Sequence, residues 1–245
     1  MKLYFVGSPQ AELQGAIKRL TNIYGQSDLA TCDYIIPVGG DGTTLCALHE
    51  CLKAGYQRPV FAMRLKPSVG ALGNRFDLDG LPKRLDGARK IFIAPLRTEV
   101  TIADGTVETI FGINELVLSR QRLQSARLMV RLGSAAKPNR LIGDGVLVST
   151  PVGSTGYNRA AGGPELMLDS RLIAVTGIEV READMWRRCV VDEQTSIQID
   201  VLNPLHHSVR LETVEKEVRN VVAAEMSCCR DKCLTLLFDE PGERA

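Results

Sequence analysis

The sequence predicts two unlike parts, an α/β domain with a parallel sheet followed by an all-β domain. Before Pro95, apolar runs typical of buried strands alternate with segments in which apolar residues recur at helical spacing. After Pro95, apolar and polar residues alternate, which indicates strands with one buried face. With 245 residues, of which 44% are hydrophobic, the chain can bury a large core and form two modest domains.

The elements of the first part follow from apolar spacing and from residues that start helices. Ser8, as the N-cap, and Pro9 predict a helix directly after a strand at 2–6. One apolar face of that helix is formed by Leu13, Ile17 and Leu20. The same reasoning predicts, in order, a strand at 34–38, a helix at 44–52, a strand at 60–63 and a short helix at 81–89. This β-α-β order implies a parallel sheet covered by helices.

The second part is predicted to consist of strands joined by turns. Asp104-Gly105 lies between two alternating segments and indicates a two-residue hairpin loop. Further strands are marked by alternating apolar residues: Leu128, Val130 and Leu132, then Ile197, Ile199 and Val201, then Val209 and Leu211. One short helix is expected at 154–161, and 134–139 is expected to be a loop tip.

A glycine-rich turn, Gly39-Gly40-Asp41-Gly42-Thr43, lies between a predicted buried strand and a predicted helix. In such a turn the N–H groups of Gly39, Gly40, Gly42 and Thr43 can surround a phosphate, and the helix N-terminus adds partial positive charge. Asp41 would repel a phosphate unless it accepts a proton from a hydroxyl or binds a metal ion. We therefore take Asp41 as the candidate catalytic residue, with base and metal ligand both open. An ordinary tight turn is the alternative.

A second segment rich in glycine and hydroxyls extends from Gly143 to Asn158 and leads into Gly162-Gly163-Pro164. Its hydroxyls can bind a polar ligand such as a sugar or a pyrophosphate; they belong to Ser149, Thr150, Ser154, Thr155 and Tyr157. Upstream, Asn114-Glu115 places an amide beside a carboxylate at the end of an apolar run. Such a pair can recognise the edge of a base or a carboxamide, or it can simply face water.

In this order and spacing, the three segments resemble the NAD kinase family, whose pattern is GGDGT, Asn-Glu or Asn-Asp, and DG…STPTGSTAY…GGP. The resemblance extends from Tyr34 to Phe238. It implies an ATP-dependent kinase that phosphorylates the 2′-hydroxyl of the adenosine ribose of NAD to give NADP. It also implies that the second part is a β-sandwich-like domain and that the last residues return to the first domain. The expected domains are therefore 1–95 with about 225–245, and 96–224.

The resemblance also implies roles for individual residues. Asn114 and Glu115 would contact the adenine of NAD, and Asp144 would face the nicotinamide half. Ser149 and Thr150 match the pattern, with holding the strand end as their alternative role. The other expected dinucleotide-binding residues are Val152, Thr155, Gly156, Tyr157, Asn158 and Ala160. Since no Walker A sequence is present, Mg²⁺ on the phosphates of ATP would supply most of the counter-charge, and no side chain is assigned as a metal ligand.

Several positions depart from the family pattern. The motif Gly-Phe-Leu, whose ring packs on adenine, corresponds here to Gly70-Ala71-Leu72, preceded by Val69. Val152, Gly156 and Ala160 replace residues that are commonly Thr or Ser, Ala, and Ser. These changes bear on dinucleotide affinity and keep two alternatives open. One is a dinucleotide-binding or sensing protein derived from the kinase, and the other is a kinase of the same fold acting on another hydroxyl, such as that of a lipid.

Composition bears on the classes of partner. A net charge of +1 and a pI near 7.6 give no bulk electrostatic reason for binding nucleic acid or an acidic membrane surface. Without a run of eighteen apolar residues or a signal peptide, we expect a cytoplasmic protein, and we expect a homo-oligomer, a dimer or tetramer. The seven cysteines show no paired spacing and are expected to be reduced, with Cys46 and Cys51 as small core residues.

Overall fold

The computed structural model describes residues 1–65, 70–134, 137–183 and 187–239. The chain divides into two compact units, Met1–Ile93 with Asp231–Ala245, and Ala94–Arg230. These divisions lie a few residues from the predicted ones. Three predicted features fall partly or wholly outside the described residues. They are Val69, residues 135–136 of the predicted loop tip at 134–139, and residues 240–245 of the predicted C-terminal segment.

The first unit contains the predicted parallel sheet with helices. Its sheet has the order β1-β2-β3-β4 and consists of β1 (Leu3–Gly7), β2 (Tyr34–Val38), β3 (Met63–Arg64) and β4 (Asn74–Arg75). The helices are α1 (Ala11–Tyr24), α2 (Asp41–Ala54) and α3 (Leu81–Asp86). The next strand, β5 (Arg89–Ile93), pairs antiparallel with the C-terminal strand Leu234–Phe238. Val60 forms isolated bridges to Ile35 and to Leu236, so the end of the chain returns to this unit.

Several element boundaries differ from the prediction; helix α3, for example, ends at Asp86 and not at 89. Ser8 is not the N-cap of α1: the backbone of Gln10 is still extended, with φ −61° and ψ 132°, so helical geometry begins at Ala11. Of the strand expected at 60–63, only Met63 belongs to a strand, β3, where it pairs with β2. Val60 forms isolated bridges instead. Helix α2 begins at Asp41, earlier than expected, so this carboxylate lies in the first turn, where the helix dipole favours negative charge.

The second unit is all-β, as predicted, and the twelve strands among its described residues form one continuous antiparallel network. The strands are β6 (Leu96–Ile102), β7 (Val107–Gly112), β8 (Glu115–Arg120), β9 (Ala126–Leu132), β10 (Asn139–Gly143), β11 (Gly145–Ser149), β12 (Leu172–Ile178), β13 (Glu182–Ala183), β14 (Arg188–Asp192), β15 (Ile197–Val201), β16 (Val209–Glu212) and β17 (Glu217–Cys228). Strands β8 and β11 are neighbours near the middle of the sheet order, and β12 lies on the other side of β11.

The alternation read from the sequence is confirmed by burial. Leu128, Val130, Ile197 and Ile199 are fully buried in the core of this unit, with polar or half-buried residues between them. The hairpin between β6 and β7 differs in detail, because Ile102 donates its N–H to Thr106 across a three-residue loop. Gly105 lies in that loop with φ +89°, a conformation that favours glycine. No helix among the described residues is long and apolar enough to cross a membrane.

Candidate functional site

The glycine turn connects β2 to α2 in the first unit and is closely packed at Gly39. A Cβ atom on Gly39 would lie 2.3 Å from Thr43 Oγ1, so this position requires glycine. The N–H of Gly39 donates to the Met63 carbonyl at 2.9 Å, and that of Thr43 donates to the Gly40 carbonyl at 3.0 Å. Two of the four N–H groups predicted to contact a phosphate, those of Gly39 and Thr43, therefore donate to carbonyls of the protein. The N–H groups of Gly40 and Gly42, at the start of α2, remain as candidate donors to a phosphate.

The Asp41 carboxylate is held by the segment that begins at Gly70, directly after residues 66–69, which lie outside the described residues. Its Oδ2 accepts the N–H of Ala71 at 2.8 Å, and its Oδ1 accepts the N–H of Leu72 at 3.1 Å. A Cβ atom on Gly70 would lie 2.6 Å from Oδ1, so a side chain at 70 would displace the carboxylate. Each carboxylate oxygen keeps acceptor capacity beyond one N–H, so Asp41 is oriented and still able to accept a proton or bind a cation.

A cavity of about 510 Å³ lies beside the start of α2 in the first unit. It is lined by the end of β1, by part of β2 and by one face of α2: Tyr4, Val6, Ser8, Ile35, Thr43, Cys46, Ala47 and Glu50 are among its residues. Because Gly42 and Thr43 contribute to its wall, the cavity is continuous with the glycine turn. Cys51 is buried as expected, whereas the expectation for Cys46 is wrong: its side chain is exposed on this wall.

In the second unit, two hydroxyls of the Gly143–Asn158 segment hold the turn before β8. Thr150 Oγ1 donates to the carbonyl of Ile113 at 2.6 Å, and the Thr150 N–H donates to the carbonyl of Asn114 at 2.9 Å. Ser149 is also fully buried, and its hydroxyl bonds to the carbonyl of Thr150 at 3.0 Å. Both side chains therefore support the position of Asn114 and Glu115, which is the alternative role considered for them.

Asn114 and Glu115 do not form a water-facing pair. Asn114 Oδ1 and Glu115 Oε2 are both buried, and neither has a hydrogen-bond partner among the described residues. Burial raises the pKa of Glu115 from 4.5 to about 7. A Cβ atom on Gly153 would lie 2.3 Å from Glu115 Oε2, so glycine there makes room for the carboxyl group. Two buried acceptors without protein partners are what a site for a hydrogen-bonding ligand requires.

The helix expected at 154–161 is a short turn of π-helix, Ser154–Asn158, extended by one further turn of chain. Asn158 is fully buried; its Nδ2 donates to the Pro164 carbonyl and its Oδ1 accepts from Thr176 Oγ1, both at 2.7 Å. A Cβ atom on Gly163 would lie 2.2 Å from Asn158 Oδ1. Asn158 therefore holds the turn, and Val152 is buried. The exposed members of the predicted set are Thr155, Gly156, Tyr157 and Ala160.

Asp144 lies between β10 and β11 and is held by Arg120 at the end of β8. Arg120 Nη2 donates to Asp144 Oδ2 at 2.8 Å, and the Arg120 N–H donates to the Asp144 carbonyl at 2.8 Å. Burial is the main cause that raises the pKa of Tyr157, and the charges of Glu212, Asp144 and Glu115 add to it. Sequence reasoning missed Arg120 and Glu212, because only the strand register brings them to this place.

Comparisons with known proteins identify the family. Residues 113–226 match the family model described as the ATP-NAD kinase C-terminal domain. A protein of Hyphomonas neptunium named NAD kinase is 35% identical over 242 residues, which cover 99% of this chain and 93% of that protein. The chain belongs to the NAD kinase family. A further NAD kinase, from Rhizorhabdus wittichii, is 36% identical over 238 residues, 97% of this chain and 92% of that one.

Solved structures of NAD kinases share the fold. A yeast NADH kinase solved with NADH superposes with a TM-score of 0.78 at 18% identity, covering 98% of this chain and 83% of that one. An NAD kinase from Archaeoglobus fulgidus solved with ATP gives a TM-score of 0.72 at 19% identity, covering 99% and 94%. The predicted fold class, an α/β unit followed by an all-β unit, is therefore confirmed for this NAD kinase family member.

Proposed function

We propose that this protein transfers the γ-phosphoryl group of ATP to the 2′-hydroxyl of the adenosine ribose of NAD, giving NADP and ADP. The observation that carries the proposal is Asp41, a carboxylate held by two N–H groups in the first turn of a helix that follows a glycine turn. Its support is sequence kinship to NAD kinases over almost the whole chain. That kinship does not favour a sensor or a kinase for another hydroxyl substrate.

The reaction asks the protein mainly for alignment and charge compensation. The 2′-oxygen forms a bond to the γ-phosphorus, and the bond from that phosphorus to the β-γ bridging oxygen breaks. The hydroxyl proton passes to the Asp41 carboxylate, which the N–H groups of Ala71 and Leu72 keep oriented. The N–H groups of Gly40 and Gly42, at the N-terminal end of α2, would bind the donor phosphates.

Mg²⁺ would be bound mainly through the phosphates of the donor. The described residues contain no group of three or more His, Cys, Asp or Glu side chains that could hold a metal ion. Mg²⁺ commonly keeps several waters and binds one or two carboxylates together with substrate phosphates, which fits a site with Asp41 alone. Bound there, it supplies counter-charge for the phosphates. Asp41 as a ligand of that ion is the alternative to Asp41 as base.

The dinucleotide would bind in the second unit. The unpartnered acceptors Asn114 Oδ1 and Glu115 Oε2 suit hydrogen-bond donors such as the exocyclic amine of adenine. Thr155 and Tyr157 expose a hydroxyl and a ring in the same unit, and Asp144 would face the nicotinamide half. Asn158 and Val152 would act by holding this segment. The predicted cytoplasmic location and the predicted dimer or tetramer stay predictions.

The adenosine of the donor would occupy the cavity beside α2. The cavity has the size of ordinary small-molecule sites and an apolar floor that includes Val6 and Ile35, which suits a base. Since Gly42 lines the cavity, the triphosphate would then lie at the glycine turn. Cys46→Phe would narrow the cavity, so we expect a KM for ATP that rises about tenfold while the KM for NAD is unchanged. An equal rise of both would place the nucleoside elsewhere.

The test of the function is purified protein with ATP, Mg²⁺ and NAD, with NADP detected by an NADP-specific dehydrogenase. Asp41→Asn should lower turnover about 10²–10⁴-fold, the usual range for removing a general base. Asp33→Asn, which alters an exposed carboxylate of the same unit, is the control. If raised Mg²⁺ restores much of the activity of Asp41→Asn, the residue is a metal ligand. Near-normal turnover without such Mg²⁺ dependence would contradict both roles.

A further inference from the structure

Strand β14 is an edge of the large sheet in the second unit. It stands at one end of the strand order and pairs, among the described residues, with β12 alone. The strand at the other end of that order, β13, is two residues long and offers little backbone to a further strand. In contrast, β14 has five residues, contains neither proline nor lysine, and pairs with β12 without a register shift. It therefore lacks several of the features that commonly protect a sheet edge from another strand.

The hydrogen bonds at the two ends of β14 show which backbone groups face outward. The N–H of Gly177 donates to the carbonyl of Arg187 at 2.8 Å, and the N–H of Glu193 donates to the carbonyl of Arg171 at 3.0 Å. Bonded and non-bonded residues alternate along an antiparallel ladder, so the odd-numbered residues of β14 bond to β12. The N–H and C=O groups that point away from the sheet belong to Arg188, Val190 and Asp192.

The side chains of these three residues share one exposed face of the strand. Val190, at the centre, is 41% exposed, and the charged residues on either side of it are exposed as well. The intervening Cys189 and Val191 lie on the other face and pack against the core. Leu172 lies opposite Asp192 in the ladder, so it adds a second partly exposed apolar side chain to the same face. The edge thus presents an apolar centre between a positive and a negative residue.

Both charged side chains are oriented by backbone groups and keep capacity for a further partner. Arg188 Nη1 donates to the Gly162 carbonyl at 2.6 Å, and Asp192 Oδ1 accepts the N–H of Gln194 at 2.8 Å. A guanidinium has five N–H donors and a carboxylate has two acceptor oxygens, so most of this capacity is unused. Neither residue forms a salt bridge within the described part of the chain. Each charge is therefore held at the edge without an opposite charge.

The order of the charges makes this edge complementary to itself. If two copies pair antiparallel about a twofold axis at Val190, each Arg188 lies directly opposite Asp192 of the second copy. Registers centred on Arg188 or on Asp192 would instead place like charges opposite each other, which is unfavourable. In the register at Val190, the outward N–H and C=O groups of the two Val190 residues also face each other as a hydrogen-bonded pair. Such a pairing uses the same surface on both copies and closes as a dimer.

We propose that β14 is the interface at which two copies of this chain pair edge to edge, antiparallel about a twofold axis at Val190. A second copy is the partner that the charges favour, because it supplies a carboxylate opposite each Arg188 and a guanidinium opposite each Asp192. The outward backbone groups of β14 supply the hydrogen bonds, and Val190 supplies the apolar contact on the axis. The proposal gives the predicted homo-oligomer a defined surface and does not depend on the proposed function.

Sedimentation velocity over about a hundredfold range of protein concentration measures the dimer, whose fraction rises with concentration. Arg188→Glu places a carboxylate opposite Asp192 of the second copy, and Asp192→Lys places an ammonium group opposite Arg188. Each variant alone should therefore dimerise at least about tenfold more weakly than the wild type. An equimolar mixture should dimerise again, because one strand then carries two carboxylates and the other two cations. Arg97→Glu reverses an exposed charge of the same unit and is the control.

The backbone part of the interface is tested at Val190 itself. Val190→Pro removes an outward N–H, keeps the bonds to β12 and should abolish the dimer. Thr109→Pro makes the same change at an outward residue of β7, which pairs only with β6 among the described residues, and is the matched control. Val190→Cys should give a covalent dimer on mild oxidation, since Cα atoms about 5.5 Å apart lie in the range of a disulfide. Peptide mapping should then find residue 190 linked to residue 190.

Dimers in the mixture of Arg188→Glu with Asp192→Lys, but not in either variant alone, are the result expected of this register. A wild type that stays monomeric at every concentration overturns the proposal. Dimers that persist in both charge variants, or a Val190→Cys variant without the 190–190 link, overturn it as well, because the copies then meet at another surface. If Val190→Pro does not fold, the mixture and the disulfide still decide. None of these measurements uses kinase activity, so this proposal and the proposed function fail separately.

Discussion

Replacing Glu115 by Gln should change how the stability of the protein depends on pH. Glu115 Oε2 is buried without a partner among the described residues, and the pKa of this carboxyl group is raised from 4.5 to about 7. The folded state therefore binds a proton that the unfolded state has lost between these two pH values. Stability is present in full below about pH 4.5 and falls as pH rises toward 7, because folding then requires either a buried charge or a bound proton.

The magnitude follows from the size of the shift. A difference of about 2.5 pH units at about 1.4 kcal/mol each gives on the order of 3 kcal/mol lost above pH 7. Gln has nearly the same shape and cannot ionise. Glu115→Gln should therefore match the wild type below pH 4.5, apart from a constant offset, and exceed it by about this amount at pH 8. For a chain of this length, that corresponds to roughly 10 °C in melting temperature.

Thermal unfolding of both proteins from pH 4 to pH 8.5, followed by circular dichroism, measures this difference. Glu99→Gln is the matched control, because Glu99 is exposed in the same unit and its ion pair with Arg97 is screened by water. Curves of wild type and Glu115→Gln that run parallel across the whole range would show that Glu115 is not buried as a proton-binding group. The dinucleotide would then meet an ordinary ionised carboxylate.

Three further variants test separate parts of the site. Asn114→Ala removes a buried acceptor without a protein partner, so the KM for NAD should rise several-fold more than that for ATP; equal rises would mean that Asn114 does not bind the dinucleotide. Gly163→Ala should destabilise the protein by about 1–3 kcal/mol through its clash with Asn158, whereas Gly156→Ala, with open space around its Cβ, should not. Ala71→Phe should tighten NAD binding severalfold, as measured by calorimetry, if an added ring stacks on adenine, and weaken it if the site is already filled.

The parts of the fold that repeat a simple period could be predicted from the sequence. The alternation at Leu128 and Val130 matched burial in β9, because a one-sided core selects side chains with period two. The start of α2 was placed too late, because Asp41 and Gly42 have poor helix propensity, although a carboxylate such as Asp41 is favourable in a first turn. Turn residues such as Ser8 were likewise ambiguous, because capping depends on a backbone angle that the sequence does not specify.

Sequence motifs predicted the candidate residues of the site, whereas their hydrogen-bond partners became evident only from the pairing of the strands. The motifs identified Asp41, Asn114 and Asp144, but not the groups that hold them. Arg120 is 24 residues from Asp144, and their contact depends on the pairing of β8 with β11. Contacts of this kind carry no short-range spacing signal, so a sequence taken alone cannot reveal them.

The departure from the family pattern at Ala71 lies on a residue whose N–H orients the Asp41 carboxylate. The N–H of Ala71 binds Asp41 whatever its side chain is, so a methyl group can replace a ring there without loosening Asp41. Phe76 does not fill the place of that ring, because it packs against the core of the first unit. Backbone and side chain at position 71 are thus separable in the proposed function, because the N–H alone orients Asp41. Loss of the ring should therefore be felt in dinucleotide affinity while the chemical step keeps its geometry.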